Sequence, residues 1–158
     1  MTERTPVTRR TLILIAAAGS FALLAGAFIF QAMGYAPCQM CLWQRWPHAA
    51  AILLGALGAV FPRAIIAAAG ALAALTTGLI GVYHAGVEWK LWEGPSSCTG
   101  TGGLSGLSGA DLLATDIPET LVMCDEIVWS LLGLSMAGWN AALSLVLVVI
   151  WLAAIRAR

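Results

Sequence analysis

The residues of this chain with the clearest chemical potential are its four cysteines. Cys38 and Cys41 form a C-x-x-C motif, whereas Cys98 and Cys124 lie far apart in the second half of the chain. A C-x-x-C pair can alternate between dithiol and disulfide, and its thiol pKa falls when a helix N-terminus or a cation lies nearby. Four cysteines can pair in more than one way. Adjacency favours Cys38–Cys41 and Cys98–Cys124, and a relay of electrons would also need a transient bond between the pairs.

Two candidate polar residues follow the first pair. If a helix already begins at Cys41, then Cys41, Arg45 and His48 share one of its faces. Pro47 makes a later helix start, or a kink, the alternative. We expect Arg45 to donate a hydrogen bond to an electron acceptor or to the Cys41 thiolate, the alternative being an anchor at a membrane interface. His48 is interpreted as a packed residue of the bundle, or else as a proton donor to the reduced acceptor.

The second pair lies in a different kind of segment. Cys98 ends a turn-rich stretch, and Cys124 precedes two acidic residues and an apolar segment. A disulfide between them would close a glycine-rich loop with little core, so we expect it to be exposed and open to attack by the thiolate of a partner. The alternatives are a structural disulfide and a zinc site with four cysteine ligands. An oxidising compartment favours disulfides, and we expect no metal.

The elements that must position these cysteines are membrane spans. The mean hydropathy is +0.88 and only 10% of the residues are charged. Four apolar stretches, at 11–33, 42–61, 64–83 and 136–155, each approach the ~20 residues that a helix needs to cross a membrane. The first is longer than the ~7–15 apolar residues of a signal peptide, so we interpret it as a span. The sequence predicts a single all-α domain over 1–158, a bundle of four transmembrane helices.

Charge patterning predicts how the bundle is oriented. Basic residues cluster before the first stretch, between the second and third, and at the end of the chain, which predicts cytoplasmic termini. The two outward loops, 34–41 and 84–135, then carry all four cysteines. We expect a mobile segment at 99–109 and a short helix near 109–115. No basic patch suggests nucleic-acid binding. Small residues recur at every fourth position of three stretches and predict close helix packing: Ala18, Ala22 and Gly26; Ala51, Gly55 and Ala59; Gly70, Ala74 and Gly78.

Several motifs, taken together, resemble the DsbB family of disulfide-bond-forming quinone reductases. The first is Cys38-x-x-Cys41-x-x-Gln44-Arg45-x-Pro47-His48. The second is the run Tyr83-His84-Ala85-Gly86-Val87-Glu88, followed by Gly94-Pro95-Ser96-Ser97-Cys98. The third is Cys124-Asp125-Glu126 with Trp129, the run Leu132-Gly133-Leu134-Ser135-Met136 and Trp139. These motifs cover nearly the whole chain and occur in the order found in the family.

The resemblance implies an enzyme of the bacterial inner membrane whose cysteine loops face the periplasm. Cys98–Cys124 would oxidise a DsbA-like thiol oxidase, and Cys38–Cys41 would be oxidised by a membrane quinone, either ubiquinone or menaquinone. Arg45 would lie against the quinone, and His84 would face the same region. The alternatives are a membrane scaffold with structural disulfides and a quinone reductase of the vitamin K epoxide reductase type. The string Gln44-Arg45-x-Pro47-His48 argues against the latter, and the oligomeric state stays open.

Overall fold

The computed structural model describes residues 8–98 and 122–157. Within these ranges the chain forms four helices and one short hairpin. The helices are α1 (Arg9–Ala32), α2 (Gln39–Val60), α3 (Ala64–Glu88) and α4 (Met136–Arg156), and the hairpin consists of β1 (Ser130–Leu131) and β2 (Leu134–Ser135). The predicted segment at 99–109 and the predicted helix near 109–115 lie outside the described residues. The all-α prediction therefore holds for the described ranges except at the hairpin.

Three of the helices are long and apolar enough to cross a membrane. Helices α1, α3 and α4 have 24, 25 and 21 residues, with mean hydropathies of 2.4, 2.1 and 2.1. Helix α2 has 22 residues, but its first turns carry Gln44, Arg45 and His48. Its crossing of the membrane and the orientation of the two termini stay predictions. The described part of the chain thus confirms a helical, largely apolar architecture.

The start of α2 tests whether Pro47 delays the beginning of the helix. The helix begins directly after Cys38 and continues through Pro47. Proline inside a helix usually disrupts it, because the ring removes a backbone donor and crowds the preceding turn. Here the Cys38 side chain accepts a hydrogen bond from the Cys41 N–H and caps the first turn. A helix start delayed until Pro47 was therefore the wrong alternative.

The helices run alternately up and down, so that α1 packs on α2 and α4, and α3 packs on the same two helices. Small residues permit the close approaches. A Cβ atom added at Gly70 would lie 2.6 Å from the indole of the fully buried Trp151, and one at Gly55 would overlap the Ala17 side chain. The series of small residues predicted to pack closely on α1 includes Ala22 and Gly26, which instead line a cavity.

One arginine ties together the end of the bundle opposite the cysteines. The Arg9 guanidinium donates to the carbonyl oxygens of Ala154 at 3.1 Å, Pro62 at 3.2 Å and Ala157 at 2.6 Å. These carbonyls belong to the turn after α2 and to the last turn of α4, where helix backbones leave acceptors unpaired. Arg9 thereby joins the start of α1 to both neighbouring elements.

We predict that Arg9→Met lowers the free energy of unfolding by about 1–3 kcal/mol, because three charge-assisted hydrogen bonds are lost. The measurement is thermal unfolding of the purified protein in detergent. Arg10→Met is the matched control: it removes the same charge from an exposed position and should shift stability by less than about 0.5 kcal/mol. Equal effects of the two variants would contradict the structural role of Arg9.

At the cysteine end, a short motif joins α3 to α4. Ser135 is the N-cap of α4 and accepts a hydrogen bond from Gly138 N–H at 3.1 Å, while its hydroxyl donates to Oε2 of the buried Glu88. The preceding hairpin turns through Leu132 and Gly133, which have φ values of 53° and 80°. Positive φ at both turn residues matches the right-handed twist of two-residue hairpins. This end of the bundle is therefore closed by hydrogen bonds as well as by apolar packing.

Candidate dithiol–disulfide site

The first cysteine pair lies at the N-terminus of α2. The Cys38 thiol donates a hydrogen bond to the Cys41 sulfur, and the two Sγ atoms are 2.9 Å apart. Together with burial, this hydrogen bond raises the pKa of the Cys38 thiol above its usual range. A thiolate that accepts a hydrogen bond is favoured in its charged form. Cys41 is therefore the sulfur of the pair that this geometry stabilises as a thiolate.

The second pair forms a disulfide, as adjacency predicted, with a Cα–Cα distance of 5.3 Å. Cys98 and Cys124 are only 4% and 0% exposed. The prediction of an exposed disulfide is therefore wrong for this structure. The reason is tertiary: both residues pack against Cys38, Met40 and Val87 in one small apolar cluster.

The two pairs meet at Cys38. Its sulfur lies within 4.8 Å of the sulfurs of Cys98 and Cys124, and it lies equally close to the Cys41 sulfur and to a ring nitrogen of His84. Three such ligands could hold a metal ion. In the first cluster, however, two of the three sulfurs are already bonded to each other. Exchange of disulfide bonds is the chemistry that this arrangement permits directly.

His84 is the polar side chain that contacts the first pair from α3. Its Nε2 is 3.5 Å from Cys38 Sγ and 3.9 Å from Oε1 of Glu88. Its Nδ1 is 2.9 Å from the Gln44 amide nitrogen. The ring also has a backbone hydrogen bond with Cys124. His84 therefore contacts residues of both cysteine pairs.

A cavity of about 330 Å³ lies beside this cluster. The three polar residues proposed from the sequence to bind a cofactor, Arg45, His48 and His84, all line it. The rest of the lining is mostly apolar and includes Cys38, Cys41, Gln44, Glu88, Leu23, Ala27, Phe30, Met136, Trp139 and Asn140. Ligand pockets usually have this character, with a few polar groups on apolar walls and a volume of at least about 300 Å³.

Arg45, which lines the cavity, reaches from α2 to α1. One guanidinium nitrogen donates to Gln31 Oε1 at 2.7 Å, and the group lies 4.7 Å from the centre of the Phe28 ring. Buried polar atoms of proteins are nearly always satisfied. Among the described residues, four buried side-chain atoms have no hydrogen-bond partner: Ser20 Oγ, Arg45 Nε, His48 Nδ1 and Trp151 Nε1. Of these residues only Arg45 and His48 line the cavity, so their two atoms are candidates for contact with a ligand.

The sequence interpretation missed three residues of the site. Gln44 stood in the quoted motif without a role, and Glu88 and Asn140 were not assigned any. Asn140 donates to Gln44 Oε1 at 2.6 Å, and its Oδ1 is 2.8 Å from His48 Nε2. A polar residue inside an apolar span is a signal for a functional contact, and Asn140 carried that signal.

An exposed ion pair holds the segment that carries Cys124. Lys90, at φ 59° just after α3, donates from Nζ to Asp125 Oδ2 at 2.5 Å and to the Asp125 carbonyl at 3.1 Å. The hydrogen bond from Lys90 holds the pKa of the Asp125 carboxyl below its usual value. A depressed pKa means that the stabilisation is present above the unfolded pKa, about 3.9 for aspartate, and is lost as the pH falls through the folded value.

We predict that Asp125→Asn modestly increases the rate at which a small thiol reduces Cys98–Cys124, by about twofold to fivefold, because exposed ion pairs contribute little. The rate is measured by alkylation and mass mapping at pH 7. The same mapping with a phosphine reductant, which stays reactive in acid, is then done at pH 7 and at about pH 2, below the depressed pKa of Asp125. The difference from the parent chain should shrink at the lower pH, where protonation of Asp125 weakens the same ion pair. Glu93→Gln, at an exposed acid of the same loop, is the control and should leave the rate unchanged.

Comparison with known proteins agrees with this arrangement. The family described as Disulfide bond formation protein DsbB matches residues 9–154. The chain belongs to the DsbB family. Disulfide bond formation protein B 2 of Pseudomonas aeruginosa is 34% identical over 144 residues, which cover 87% of this chain and 85% of the relative. Disulfide bond formation protein B of Verminephrobacter eiseniae is 34% identical over 142 residues, with coverages of 87% and 79%.

Two consequences follow from membership of the DsbB family. Family membership and the three apolar helices identify a multi-pass membrane protein with disulfide oxidoreductase activity. The vitamin K epoxide reductase alternative is set aside, because the DsbB match extends over most of the chain. No solved structure gave a significant match to the chain.

Proposed function

We propose that this protein reoxidises a periplasmic DsbA-like thiol oxidase and passes the electrons through its two cysteine pairs to a membrane quinone, either ubiquinone or menaquinone. The observation that carries the proposal is the position of Cys38. Its sulfur lies within 4.8 Å of both sulfurs of the Cys98–Cys124 disulfide, and its C-x-x-C partner Cys41 lines the cavity. Disulfide exchange through Cys38 and Cys41 can therefore connect the Cys98–Cys124 disulfide to the cavity.

The first half of the cycle is thiol–disulfide exchange. A thiolate of the reduced partner attacks the Cys98 sulfur, the Cys98–Cys124 bond breaks, and Cys124 leaves as a thiolate. Cys124 then attacks Cys38 of an oxidised Cys38–Cys41 pair, which forms a Cys38–Cys124 bond and releases Cys41 as a thiolate. Because Cys98 is buried, attack by the partner requires the segment around it to open first.

The second half of the cycle restores the loop disulfide. The second thiolate of the partner attacks its own mixed disulfide, so that oxidised partner leaves and Cys98 becomes a thiolate. Cys98 then attacks Cys124, which re-forms Cys98–Cys124 and leaves Cys38 and Cys41 as a reduced pair. When bound, the quinone supplies the two-electron acceptor that returns this pair to a disulfide, and the two protons of the dithiol are transferred with the electrons.

The residues of the cavity suit a quinone. Arg45 Nε is a buried donor without a partner, and His48 Nδ1 is a buried ring nitrogen without one. The two carbonyl oxygens of a quinone head group only accept hydrogen bonds, so Arg45 Nε could donate to one of them, and His48 Nδ1 could accept from a hydroxyl of the reduced form. The positive charge of Arg45 would also stabilise the Cys41 thiolate and negative charge that develops on the acceptor. We assign Arg45, His48 and His84 to this binding site.

The proposed orientation follows from the charges and from the chemistry. The chain would be a single domain with four spans, α2 included, in the bacterial inner membrane. Both termini would lie in the cytoplasm, and the loops at 34–41 and 84–135 would lie in the periplasm. A periplasmic location would give the cysteines an oxidising compartment and access to the partner.

The path through Cys38 can be tested by trapping. We predict that Cys41→Ser with Cys98→Ser yields a stable disulfide between Cys38 and Cys124, because the two remaining sulfurs lie in one cluster. The matched variant, Cys38→Ser with Cys98→Ser, leaves Cys41 and Cys124 and should yield much less. The measurement is peptide mapping without reductant after purification from membranes. Equal yields, or a preference for Cys41, would contradict the assignment of Cys38.

Turnover separates the enzyme from a structural scaffold. We expect the purified protein to reduce a soluble ubiquinone or menaquinone analogue when supplied with a reduced DsbA-like partner, and we expect Cys41→Ser and Cys98→Ser each to abolish turnover. Ser96→Ala, on the exposed surface near Cys98, is the control and should retain activity. A parent chain that reduces no quinone while both pairs stay oxidised would leave the scaffold interpretation in place.

A further inference from the structure

A continuous path of hydrogen-bond contacts joins the first cysteine pair to the far wall of the cavity. It runs from Cys38 Sγ to His84 Nε2 at 3.5 Å, and from His84 Nδ1 to Gln44 Nε2 at 2.9 Å. It continues from Gln44 Oε1 to Asn140 Nδ2 at 2.6 Å, and from Asn140 Oδ1 to His48 Nε2 at 2.8 Å. The side-chain amides of Gln44 and Asn140 thus connect the two imidazole rings through hydrogen bonds. The histidines are 2% and 3% exposed, so water does not compete for these contacts.

The contacts of Gln44 determine which groups donate and which accept along this path. Its amide nitrogen lies 3.3 Å from the Met40 carbonyl oxygen as well as 2.9 Å from His84 Nδ1. A backbone carbonyl can only accept, so the group facing it must be the amide NH₂ and not the amide oxygen. The same NH₂ donates to His84 Nδ1, which must then be a bare acceptor. A neutral His84 therefore carries its proton on Nε2, the nitrogen next to Cys38.

A second carbonyl sets the direction at Asn140. Its amide nitrogen lies 3.1 Å from Thr77 Oγ1 and 3.4 Å from the Thr77 carbonyl oxygen. The Thr77 hydroxyl already donates its proton to the backbone carbonyl oxygen of Gln44 at 3.1 Å. Both Thr77 oxygens therefore face Asn140 as acceptors. Asn140 Oδ1 is left to accept, from Ser144 at 3.4 Å and from His48 Nε2. Reversing the amides would bring oxygen against oxygen at Met40 and at Thr77.

We propose that Gln44 and Asn140 are positioning residues that set the tautomers of both histidines. His84 presents a proton on Nε2 to Cys38, and His48 is left with a bare Nδ1 that serves a ligand in the cavity. This proposal rests on the proposed function, because the cavity ligand it concerns is the quinone. In this proposal His84 acts as a hydrogen-bond donor to the cysteine pair, and His48 acts as an acceptor for the ligand.

The two tautomers suit the two ends of the reaction. The proton on His84 Nε2 can hydrogen-bond to the Cys38 sulfur when that sulfur leaves as a thiolate, and a charge-assisted hydrogen bond is the stronger kind. A bare His48 Nδ1 cannot donate to the carbonyl of an oxidised quinone, but it can accept from the hydroxyl of the reduced form. The unpartnered Arg45 Nε, which can only donate, suits the carbonyl. We expect the cavity to bind a quinol through His48 and a quinone through Arg45.

The wild-type protein provides the first test, because the chain has only two histidines. Their ring nitrogens can be labelled with ¹⁵N and observed in detergent by long-range ¹H–¹⁵N correlation, which distinguishes the neutral tautomers. We expect two imidazoles, both protonated on Nε2. A ring protonated on Nδ1 at either position would overturn the proposal. This spectrum needs no partner and no turnover, so it can fail or succeed independently of the proposed function.

Two variants then separate the roles. Asn140→Leu removes the acceptor from His48, and we expect its ring signals to shift while those of His84 keep the Nε2 form, which the contact between Gln44 and Met40 still sets. The inhibition constant of a quinol analogue should rise by about tenfold, the size of one buried hydrogen bond, while the KM for a quinone analogue, which binds through Arg45, should change little. Gln44→Glu replaces the donor to His84 with an acceptor, and His84 should become protonated on Nδ1.

The Gln44→Glu variant should also slow, by about tenfold, the step in which Cys38 leaves Cys124 as a thiolate, which is read as accumulation of the Cys38–Cys124 disulfide during turnover. Thr76→Val is the control: its hydroxyl donates only to Leu72 of its own helix, on an exposed face, and no readout should change. Unchanged ring signals in both Gln44→Glu and Asn140→Leu would overturn the proposal. So would changes in the ring signals with no change in the inhibition constant of the quinol analogue and none in the accumulation of the Cys38–Cys124 disulfide.

Discussion

The hydrogen bond between the Cys41 backbone and the Cys38 sulfur starts α2, and the rest of the site depends on where that helix starts. Because Cys38 is the N-cap, Cys41 lies in the first turn, and Arg45 and His48 follow on the same side of the helix along the cavity. The free N–H groups of a helix start favour negative charge, which suits a thiolate at this position. The same cap turns the Cys38 sulfur toward His84 and toward the second cysteine pair. A single local interaction therefore supports both the acidity of one thiol and the contact between the two pairs.

Polar groups in the interior of this bundle are organised as a closed network, with few open ends. A membrane offers no water to satisfy a stray amide or hydroxyl, so polar side chains within it must find partners in the protein. Thr77, Ser144, Gln44 and Asn140 satisfy one another and two backbone carbonyls. Four buried side-chain atoms of the described residues lack a partner, and of these only the nitrogens of Arg45 and His48 belong to residues that line the cavity.

The buried disulfide changes how the loop chemistry must work. A small apolar cluster covers Cys98 and Cys124, while the ion pair between Lys90 and Asp125 holds the neighbouring backbone from the solvent side. Exposed ion pairs stabilise weakly, so opening the segment need not be costly. The same burial places the disulfide against Cys38, which a freely mobile loop would not do. The same packing thus protects the Cys98–Cys124 disulfide from thiols in solution and places it next to Cys38.

The sequence by itself determined the helical architecture, the Cys98–Cys124 disulfide and the polar residues that line the cavity, whereas Cys38 and Cys41 are free thiols in the structure. Long apolar runs leave a backbone in lipid few alternatives to helices, and a C-x-x-C motif is too short for its cysteines to lie apart. Only the tertiary structure decided which cysteine of the first pair meets the second, that the loop disulfide is buried, and which residues orient the histidines. Asn140 and Gln44 are 96 residues apart along the chain, and no helical periodicity relates them. Their contact exists because α2 and α4 both pack against α3, which is a property of the packed bundle and not of any one segment.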